Sequence, residues 1–214
     1  MKNMSRLLPG LRVSITFNAE RATNKDMPNQ NIVVLTAPSG AGKTTIAHRV
    51  LEAMPAMKFS VSATTRSPRP DETDGEDYHF LTPEEFRARI EAGGLLEYEE
   101  VYPDQFYGTL RSEVENRSED GPVLLDIDVN GALNVKRSFG DEALVLFIAP
   151  PSLDELKRRL KGRGTENRES LQDRLDRVEQ EMEKADDCDA VVVNDELDVA
   201  VEETLTRIRR FLGL

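Results

Sequence analysis

The sequence predicts an α/β fold in which helices cover both faces of a parallel β-sheet. Short apolar runs alternate along the chain with segments of helical periodicity, and that alternation is typical of strand–helix–strand units. The apolar runs are continuous and rich in β-branched residues, as expected of strands that are buried on both faces. With 214 residues, the chain is long enough for one good core, or for one core with a small insert.

Each predicted strand is a short apolar run. The first run, IVVLT, opens the regular part of the chain after a segment without sustained periodicity. We expect that segment, residues 1–30, to be a peripheral or disordered extension. The predicted strands are residues 32–36 (IVVLT), 57–61 (MKFSV), 123–128 (VLLDID), 144–150 (LVLFIAP) and 190–194 (AVVVN).

Helices are predicted from apolar spacing and from capping signals. The segment TPEEFRARIEAGG has Thr82 as N-cap, Pro83 in the first turn, Glu85 as capping-box partner and Gly93 as stop signal. The remaining predicted helices are one with Ile46, Ala47, Val50, Leu51 and Met54 on one face, one from Ser152 with Glu155 that breaks at Gly162, one over 169–185, and one over 198–212.

The composition predicts a globular protein with a polar surface. The formal net charge of -12 argues against non-specific binding to nucleic acids or membranes, which requires basic faces. A single cysteine, Cys188, excludes an internal disulfide framework and suggests a reducing compartment. No apolar run approaches the roughly 20 residues of a membrane helix, and Pro9, Gly10 and Arg12 interrupt the apolar N-terminus, so no signal peptide is predicted. We therefore expect a cytoplasmic protein, either a monomer or a homodimer.

The segment VVLTAPSGAGKTT carries the strongest local signal. A buried strand leads into a glycine-containing loop, and Lys43 and Thr44 then open a helix. Such loops turn backbone N–H groups towards a phosphate, and the helix N-terminus adds its positive end. Lys43 is expected to reach the β- and γ-phosphates of ATP, and Thr44 to bind Mg²⁺. The predicted ATP-binding residues of this loop are Ala37 (where the strict pattern has Gly), Pro38, Ser39, Gly40, Ala41, Gly42, Lys43, Thr44 and Thr45.

A second segment, FSVSATTRSPRPDETDGEDYHF, places Arg66 and Arg69 among hydroxyl side chains in an otherwise acidic chain. Clustered guanidinium groups in such a loop indicate a binding site for an anion. A solvated loop is the alternative interpretation, and this segment alone does not decide between the two.

Five segments together resemble the guanylate kinase family, which phosphorylates GMP with ATP. The resemblance extends from about Ile32 to the C-terminus, and the order and spacing of the segments are specific. The segments are APSGAGKTT, FSVSATTRSPRPDETDGEDYHF, LLEYEEVYPDQFYGT, LLDIDVNGALNVK and IAPPSLDELKRRLKGRGTE.

The resemblance implies which residues bind GMP. Arg66 and Arg69 would hold its α-phosphate, because guanidinium groups donate parallel hydrogen bonds to phosphate oxygens. Glu97 would accept from N1–H and the N2 amine of guanine. The other implied GMP-binding residues are Tyr78 and Tyr107 at the phosphate, Ser62 and Thr109 at the base, and Asp126 and Asp128 near both GMP and Mg²⁺.

The resemblance also implies a helical lid over about residues 152–187. Arg159, Arg163 and Arg174 would act with Lys43 as the catalytic cations that stabilise the transferring phosphoryl group. Asn194 is the implied contact on the adenine side. The expected organisation is a P-loop core formed by 31–62 and 111–214, and a GMP-binding insert of mixed α/β structure formed by 63–110.

Two alternatives remain within the resemblance. A ribose bisphosphate kinase of the same family would keep the ATP site but would not need Glu97, Ser62 and Thr109. A non-catalytic guanylate-kinase-like domain that binds peptides would typically have a damaged phosphate loop, whereas Lys43 and Thr44 are both present here.

Overall fold

A computed structural model of the protein describes residues 31–162 and 178–214, which contain two β-sheets. The larger sheet has five parallel strands in the order β2-β7-β1-β8-β9. Its strands are β1 (Ile32–Thr36), β2 (Lys58–Phe59), β7 (Val123–Asp126), β8 (Ala143–Ala149) and β9 (Ala190–Val193).

The smaller sheet has four strands in the order β4-β3-β6-β5 and is mixed. The β3–β4 pair is parallel, whereas the β3–β6 and β5–β6 pairs are antiparallel. Its strands are β3 (Ala63–Thr64), β4 (His79–Phe80), β5 (Leu95–Tyr102) and β6 (Gln105–Leu110).

Seven α-helical segments connect these strands in the described residues. Two short 3₁₀ turns, Gly140–Glu142 and Ala185–Asp187, accompany them. The helices are α1 (Lys43–Ala53), α2 (Pro83–Glu91), α3 (Arg111–Ser118), α4 (Val129–Phe139), α5 (Leu153–Gly162), α6 (178–182) and α7 (Leu197–Leu212). None of them combines the length and the apolar character that a membrane crossing requires.

Helices cover both faces of the parallel sheet, which confirms the predicted fold class. Successive residues of β1 point to opposite faces, as the pleat of a strand requires. Val33 and Leu35 belong to a buried cluster with α1 and α7, whereas Ile32 and Val34 belong to a cluster with α3 and α4. All five residues of β1 are buried, which explains why this run is apolar throughout.

The capping signals are confirmed. The Glu85 backbone N–H donates to Thr82 Oγ1 at 3.2 Å, and the Thr82 backbone N–H donates to Glu85 Oε2 at 2.8 Å. This reciprocal pair satisfies two N–H groups at the start of α2. The Glu155 backbone N–H donates to Ser152 Oγ at 3.1 Å, so α5 also begins where the sequence predicted.

The predicted strand over 57–61 was wrong in its extent, because β2 includes only Lys58 and Phe59. This strand lies at the edge of the parallel sheet and pairs with β7 alone. The chain then leaves this sheet, and the Ser62 carbonyl accepts from the His79 N–H at 2.8 Å in the smaller sheet. Of the helix predicted over 169–185, residues 169–177 lie outside the described residues, and 178–182 are helical.

The smaller sheet has a core of its own centred on Phe86 of α2. The Phe86 side chain is fully buried and stacks on Phe106 of β6, with 5.2 Å between ring centroids. A Cβ on Gly108 of β6 would lie 3.1 Å from the Phe86 ring and 2.6 Å from the Glu97 carbonyl oxygen. The β5–β6 hairpin therefore packs closely on α2.

We expect Phe86→Ala to lower the free energy of unfolding by about 3–5 kcal/mol, because it removes a stacked ring from a buried site. Urea denaturation followed by circular dichroism measures this loss. Val199→Ala is the control, since Val199 is 60% exposed and should change stability by less than about 0.5 kcal/mol. A similarly small effect of Phe86→Ala would contradict this account of the smaller core.

Candidate active site

The loop between β1 and α1 is shaped by two glycines. Gly40 and Gly42 have φ angles of 88° and 95°, in the left-handed region that disfavours side chains. Gly42 is also the N-cap of α1 and, without a side chain, offers no acceptor to the first N–H groups of the helix. These N–H groups are therefore available to a ligand. Asp104 is the only non-glycine residue with positive φ in the described residues, so Ala37 fits the loop without backbone strain.

Lys43 and Thr44, at the start of α1, both face Asp126 at the end of β7. The Lys43 ammonium forms an ion pair with the Asp126 carboxylate and donates to the Ile127 carbonyl oxygen at 2.9 Å. Thr44 Oγ1 donates to Asp126 Oδ2 at 3.4 Å. A cation, a hydroxyl group and a carboxylate thus meet at the carboxyl edge of the parallel sheet, where open α/β sheets bind ligands.

Asn194, which follows β9, holds the loop between β1 and α1 through its side-chain amide. Its side chain is buried, and Nδ2 donates to the Ala41 carbonyl oxygen at 2.7 Å. A Cβ on Gly42 would lie only 2.4 Å from Asn194 Nδ2, so the loop and this amide require a glycine between them. The resemblance implied an adenine contact for Asn194; the structure places its amide against the loop backbone.

Arg159 connects α5 to Asn194. Its Nη2 donates to the Asn194 carbonyl oxygen at 3.2 Å, and its Nε donates to Glu155 Oε1 at 2.8 Å. The guanidinium is therefore held near the loop by an acid one helical turn earlier. Arg163 and Arg174, the other predicted lid arginines, lie outside the described residues.

Two further carboxylates, a buried one and a partly buried one, lie together beside Gly131 of α4. Glu97 of β5 is 6% exposed and accepts from Thr109 Oγ1 of β6 at 2.6 Å. Asp128 caps α4 and accepts from the backbone N–H groups of Asn130 and Gly131 at 2.7 and 3.1 Å. A Cβ on Gly131 would lie 2.6 Å from Glu97 Oε2 and 3.2 Å from Asp128 Oδ2, so both carboxylates flank this glycine.

The charge of Glu97 is poorly compensated. Burial, followed by the charge of Asp128, raises the pKa of Glu97 to about 8, while the Thr109 hydroxyl opposes this shift. Within residues 31–162 and 178–214, neither Glu97 nor Asp128 forms an ion pair with a lysine or an arginine. A buried acid with a perturbed pKa in such a place is typical of a site that receives hydrogen-bond donors from a ligand.

A cationic cluster in the smaller sheet completes the site. Arg66 Nη1 and Nη2 donate to Glu72 at 2.5 and 2.6 Å, and the Arg66 guanidinium lies 4.9 Å from the Tyr78 ring centroid. The Tyr78 and Tyr107 rings meet edge to face at 6.1 Å. The Arg69 side chain is 70% exposed, and its guanidinium lies 3.7 Å from the Glu72 carboxylate.

The described site residues thus form three groups. The loop group includes Lys43, Thr44, Asn194 and Arg159; the carboxylate group includes Glu97 and Asp128; and the cationic group includes Arg66 and Arg69. Ser62 is half-buried immediately before β3. Glu72 was not predicted as a site residue, because its only signal in the sequence is its position three residues after Arg69.

The parallel sheet, the glycine-containing loop after β1 and the lysine that opens α1 together define a P-loop kinase. The comparisons with known proteins identify the branch of this class. The chain belongs to the guanylate kinase family, whose sequence profile matches residues 29–211.

Relatives with similar sequences, and one solved structure, bear the name of this family. The guanylate kinase of Salinibacter ruber is 87% identical over 187 residues, which cover 87% of this chain and 100% of the relative. The guanylate kinase of Bacteroides thetaiotaomicron is 48% identical over 92% of this chain and 94% of the relative. The crystal structure of guanylate kinase from Anaplasma phagocytophilum superimposes with a TM-score of 0.68 at 30% identity, covering 85% of each chain.

We expect Asn194→Ala to loosen the loop after β1, because the Ala41 carbonyl oxygen loses a buried donor. The expected loss in the free energy of unfolding is about 1–3 kcal/mol. Hydrogen–deuterium exchange should show faster exchange in peptides that span the loop and the start of α1. Asn116→Ala, at an exposed position of α3, should leave both measurements unchanged, and unchanged exchange in Asn194→Ala would exclude this supporting role.

Proposed function

We propose that the protein transfers the γ-phosphoryl group of ATP to GMP, and also to dGMP, to give ADP and GDP or dGDP. The observation that carries this proposal is the buried Glu97 carboxylate, which has Thr109 on one side and Asp128 on the other. Membership of the guanylate kinase family supports the same reaction.

The carboxylate matches guanine rather than adenine. Guanine presents N1–H and the N2 amine as adjacent donors, and a carboxylate accepts from both at once. Adenine presents a lone pair at N1, which the ionised form of Glu97 repels. The hydroxyl groups of Ser62 and Thr109 are assigned to the remaining contacts with the base edge. For Thr109 this assignment is supported by its position directly opposite Glu97 in the β5–β6 register; for Ser62 it follows the family pattern.

The cationic group is assigned to the acceptor phosphate. Arg66 and Arg69 supply guanidinium donors, and the Tyr78 and Tyr107 hydroxyl groups supply two more. The packing of Arg66 against the Tyr78 ring supports a common site for these side chains. Charge-assisted hydrogen bonds from a planar guanidinium to a phosphate are roughly twice as strong as neutral ones, and paired donors give them a defined direction.

The loop group is assigned to ATP. Backbone N–H groups of residues 37–45 would surround its phosphates, and Lys43 would exchange its contact with Asp126 for β- and γ-phosphate oxygens. Thr44 and Asp126 offer the oxygen ligands that Mg²⁺ prefers, so they fit this ion. Bound Mg²⁺ would neutralise charge on the phosphates.

The lid arginines would stabilise the phosphoryl group during transfer. Arg159 is already held beside the loop through Asn194, and Arg163 and Arg174 are assigned to the same role from the family pattern. The acceptor is a phosphate oxyanion at neutral pH, so positioning and charge stabilisation suffice without a general base. Closure of the lid would exclude water and so limit hydrolysis of ATP.

The domain assignment follows the two sheets. We assign 31–62 and 111–214 to the ATP-binding core, 63–110 to the GMP-binding insert and about 152–187 to the lid. A cytoplasmic location is proposed because this is where ATP and GMP are available to such an enzyme.

A coupled assay of ADP formation with GMP, dGMP, AMP, UMP and CMP tests the proposal. GMP should be preferred over AMP by a factor of about 10⁴ in kcat/KM, because a buried acceptor pair rejects bases without matching donors. Equal turnover of AMP, or turnover of ribose bisphosphate without GMP, would contradict it. Absence of any turnover would instead favour the peptide-binding alternative.

We expect Glu97→Gln to reduce kcat/KM for GMP by about 10²–10³-fold, because an amide N–H then faces a guanine donor. The KM for ATP should remain within about twofold, since Glu97 lies on the acceptor side. Glu91→Gln removes the same charge from an exposed position at the end of α2 and serves as the control. A Glu97→Gln variant with normal GMP kinetics would remove Glu97 from base recognition.

GMP binding should release a proton at neutral pH. The raised pKa keeps Glu97 largely protonated in the free protein at pH 7, whereas guanine requires the carboxylate, so binding lowers this pKa and favours deprotonation. GMP affinity should therefore rise with pH up to about pH 8 and then level off.

Isothermal titration calorimetry at pH 7, in two buffers with different ionisation enthalpies, measures this release. Close to one proton is expected at pH 7 and almost none at about pH 9. An apparent enthalpy that is independent of buffer at pH 7 would show that the carboxylate is already charged in the free protein.

A further inference from the structure

Glu72 occupies one edge of the Arg66 guanidinium. Arg66 Nη1 donates to Glu72 Oε2 at 2.5 Å and to the Ser67 carbonyl oxygen at 3.1 Å, and Nη2 donates to Glu72 Oε1 at 2.6 Å. A guanidinium has five N–H donors in a fixed plane, and these contacts account for three of them. The remaining two, Nε–H and the second Nη2–H, point the same way from a single lateral edge and can together bind one oxyanion.

Glu72 is itself fixed by the loop that carries both arginines. Its Oε2 accepts from the Arg69 backbone N–H at 2.8 Å, and its own backbone N–H donates to the Arg69 carbonyl oxygen at 3.1 Å. The Glu72 side chain is only 13% exposed. Arg66, as its strongest partner, lowers the pKa of Glu72 to about 2, so this carboxylate is charged at neutral pH.

Aromatic rings further restrict Arg66. Its guanidinium lies 4.9 Å from the Tyr78 ring centroid and 5.6 Å from that of Phe80. The hydrogen bonds to Glu72 are the main cause of the raised pKa of Arg66, and Tyr107 lies close enough to add to it. The side chain is therefore ordered before any ligand binds, which lowers the entropy that binding would otherwise cost.

We propose that Glu72 is a positioning residue for the acceptor phosphate: it holds one edge of Arg66 so that the lateral edge is presented to GMP. This inference rests on GMP being the acceptor, as proposed above. The opposite possibility is that Glu72 competes with the phosphate and leaves Arg66 when GMP binds. Positioning is favoured because separation would break two short charge-assisted hydrogen bonds and leave a largely buried carboxylate with only its Arg69 contacts.

The decisive variant is Glu72→Gln, which keeps the shape but turns an amide N–H₂ group towards Arg66 or Arg69. The KM for GMP should rise about tenfold or more, with the KM for ATP within about twofold. Glu72→Asp retains the charge and should recover part of the loss. Glu76→Gln, an exposed acid in the same loop, is the matched control and should behave as the parent protein.

A double-mutant cycle with Arg66→Lys tests whether Glu72 acts through Arg66. Lysine lacks the planar set of N–H donors that Glu72 orients in Arg66. Glu72→Gln in the Arg66→Lys background should therefore change the KM for GMP by less than about threefold. Full additivity of the two substitutions would overturn the proposal. A KM for GMP that is unchanged or lower in Glu72→Gln would also overturn it, because a competitor would then have been removed.

Binding of GMP and of guanosine, measured by calorimetry, separates this inference from the proposed function. Glu72→Gln should weaken GMP binding and leave guanosine binding unchanged, because only the phosphate contacts Arg66. Equal weakening of both ligands, or a joint rise in both KM values with a lower Tm, would indicate a structural role and overturn the inference. A parent protein that binds GMP without phosphorylating it would contradict the proposed function alone, and the GMP affinities would still decide the role of Glu72.

Discussion

The parallel pairing of β1 with β7 and β8 is the constraint on which the site depends. Parallel strands end at the same edge of a sheet, so the loop after β1 and the acids after β7 must meet there. The contact of Lys43 with Asp126 is the direct result of this register. Asn194 reaches the loop for the same reason, since it directly follows β9, which ends at that edge.

The smaller sheet contributes side chains that lie beside the Asp128 carboxylate at the start of α4. The β5–β6 hairpin carries Glu97, Tyr107 and Thr109. It packs on Phe86 of α2, and Glu97 lies beside Gly131 of α4. Burial beside Asp128 disfavours the charged form of Glu97, because two carboxylates share a poorly solvated site. A guanine base that donates to Glu97 would compensate the buried charge, but below about pH 8 binding must also supply the free energy that removes the Glu97 proton.

The sequence predicted the elements whose signals are local. IVVLT, the glycine-containing loop and the capping box at Thr82 each depend on a few neighbouring residues, and the structure contains all three. The extent of β2 could not be predicted, because it depends on where the chain leaves one sheet for another rather than on the apolar character of residues 57–61. Residue assignments from the family pattern located Glu97 and Arg66 in the chain, but not the proximity of Glu97 to Asp128 or the partner of Arg66.

Glu72 and Asn194 show why such partners are missed. Glu72 contacts another side chain of the site, Arg66, and Asn194 contacts the loop backbone at Ala41. Neither contact belongs to a helical or strand repeat that the sequence would show. Asn194 and Ala41 are separated by 153 positions, so no local pattern connects them. Only the fold brings such pairs together, and a sequence motif gives no information about their geometry.

Pairing with an acid is common to three cations of the site. Lys43 contacts Asp126, Arg66 contacts Glu72, and Arg159 contacts Glu155. A chain with a net charge of -12 repels nucleotides at long range, so its phosphate site must be built from local, ordered cations. Carboxylate partners order these side chains but also reduce their positive charge. Each of these cations is therefore oriented before a nucleotide binds, although its positive charge is partly neutralised. Binding then depends mainly on the hydrogen bonds that its remaining N–H donors form.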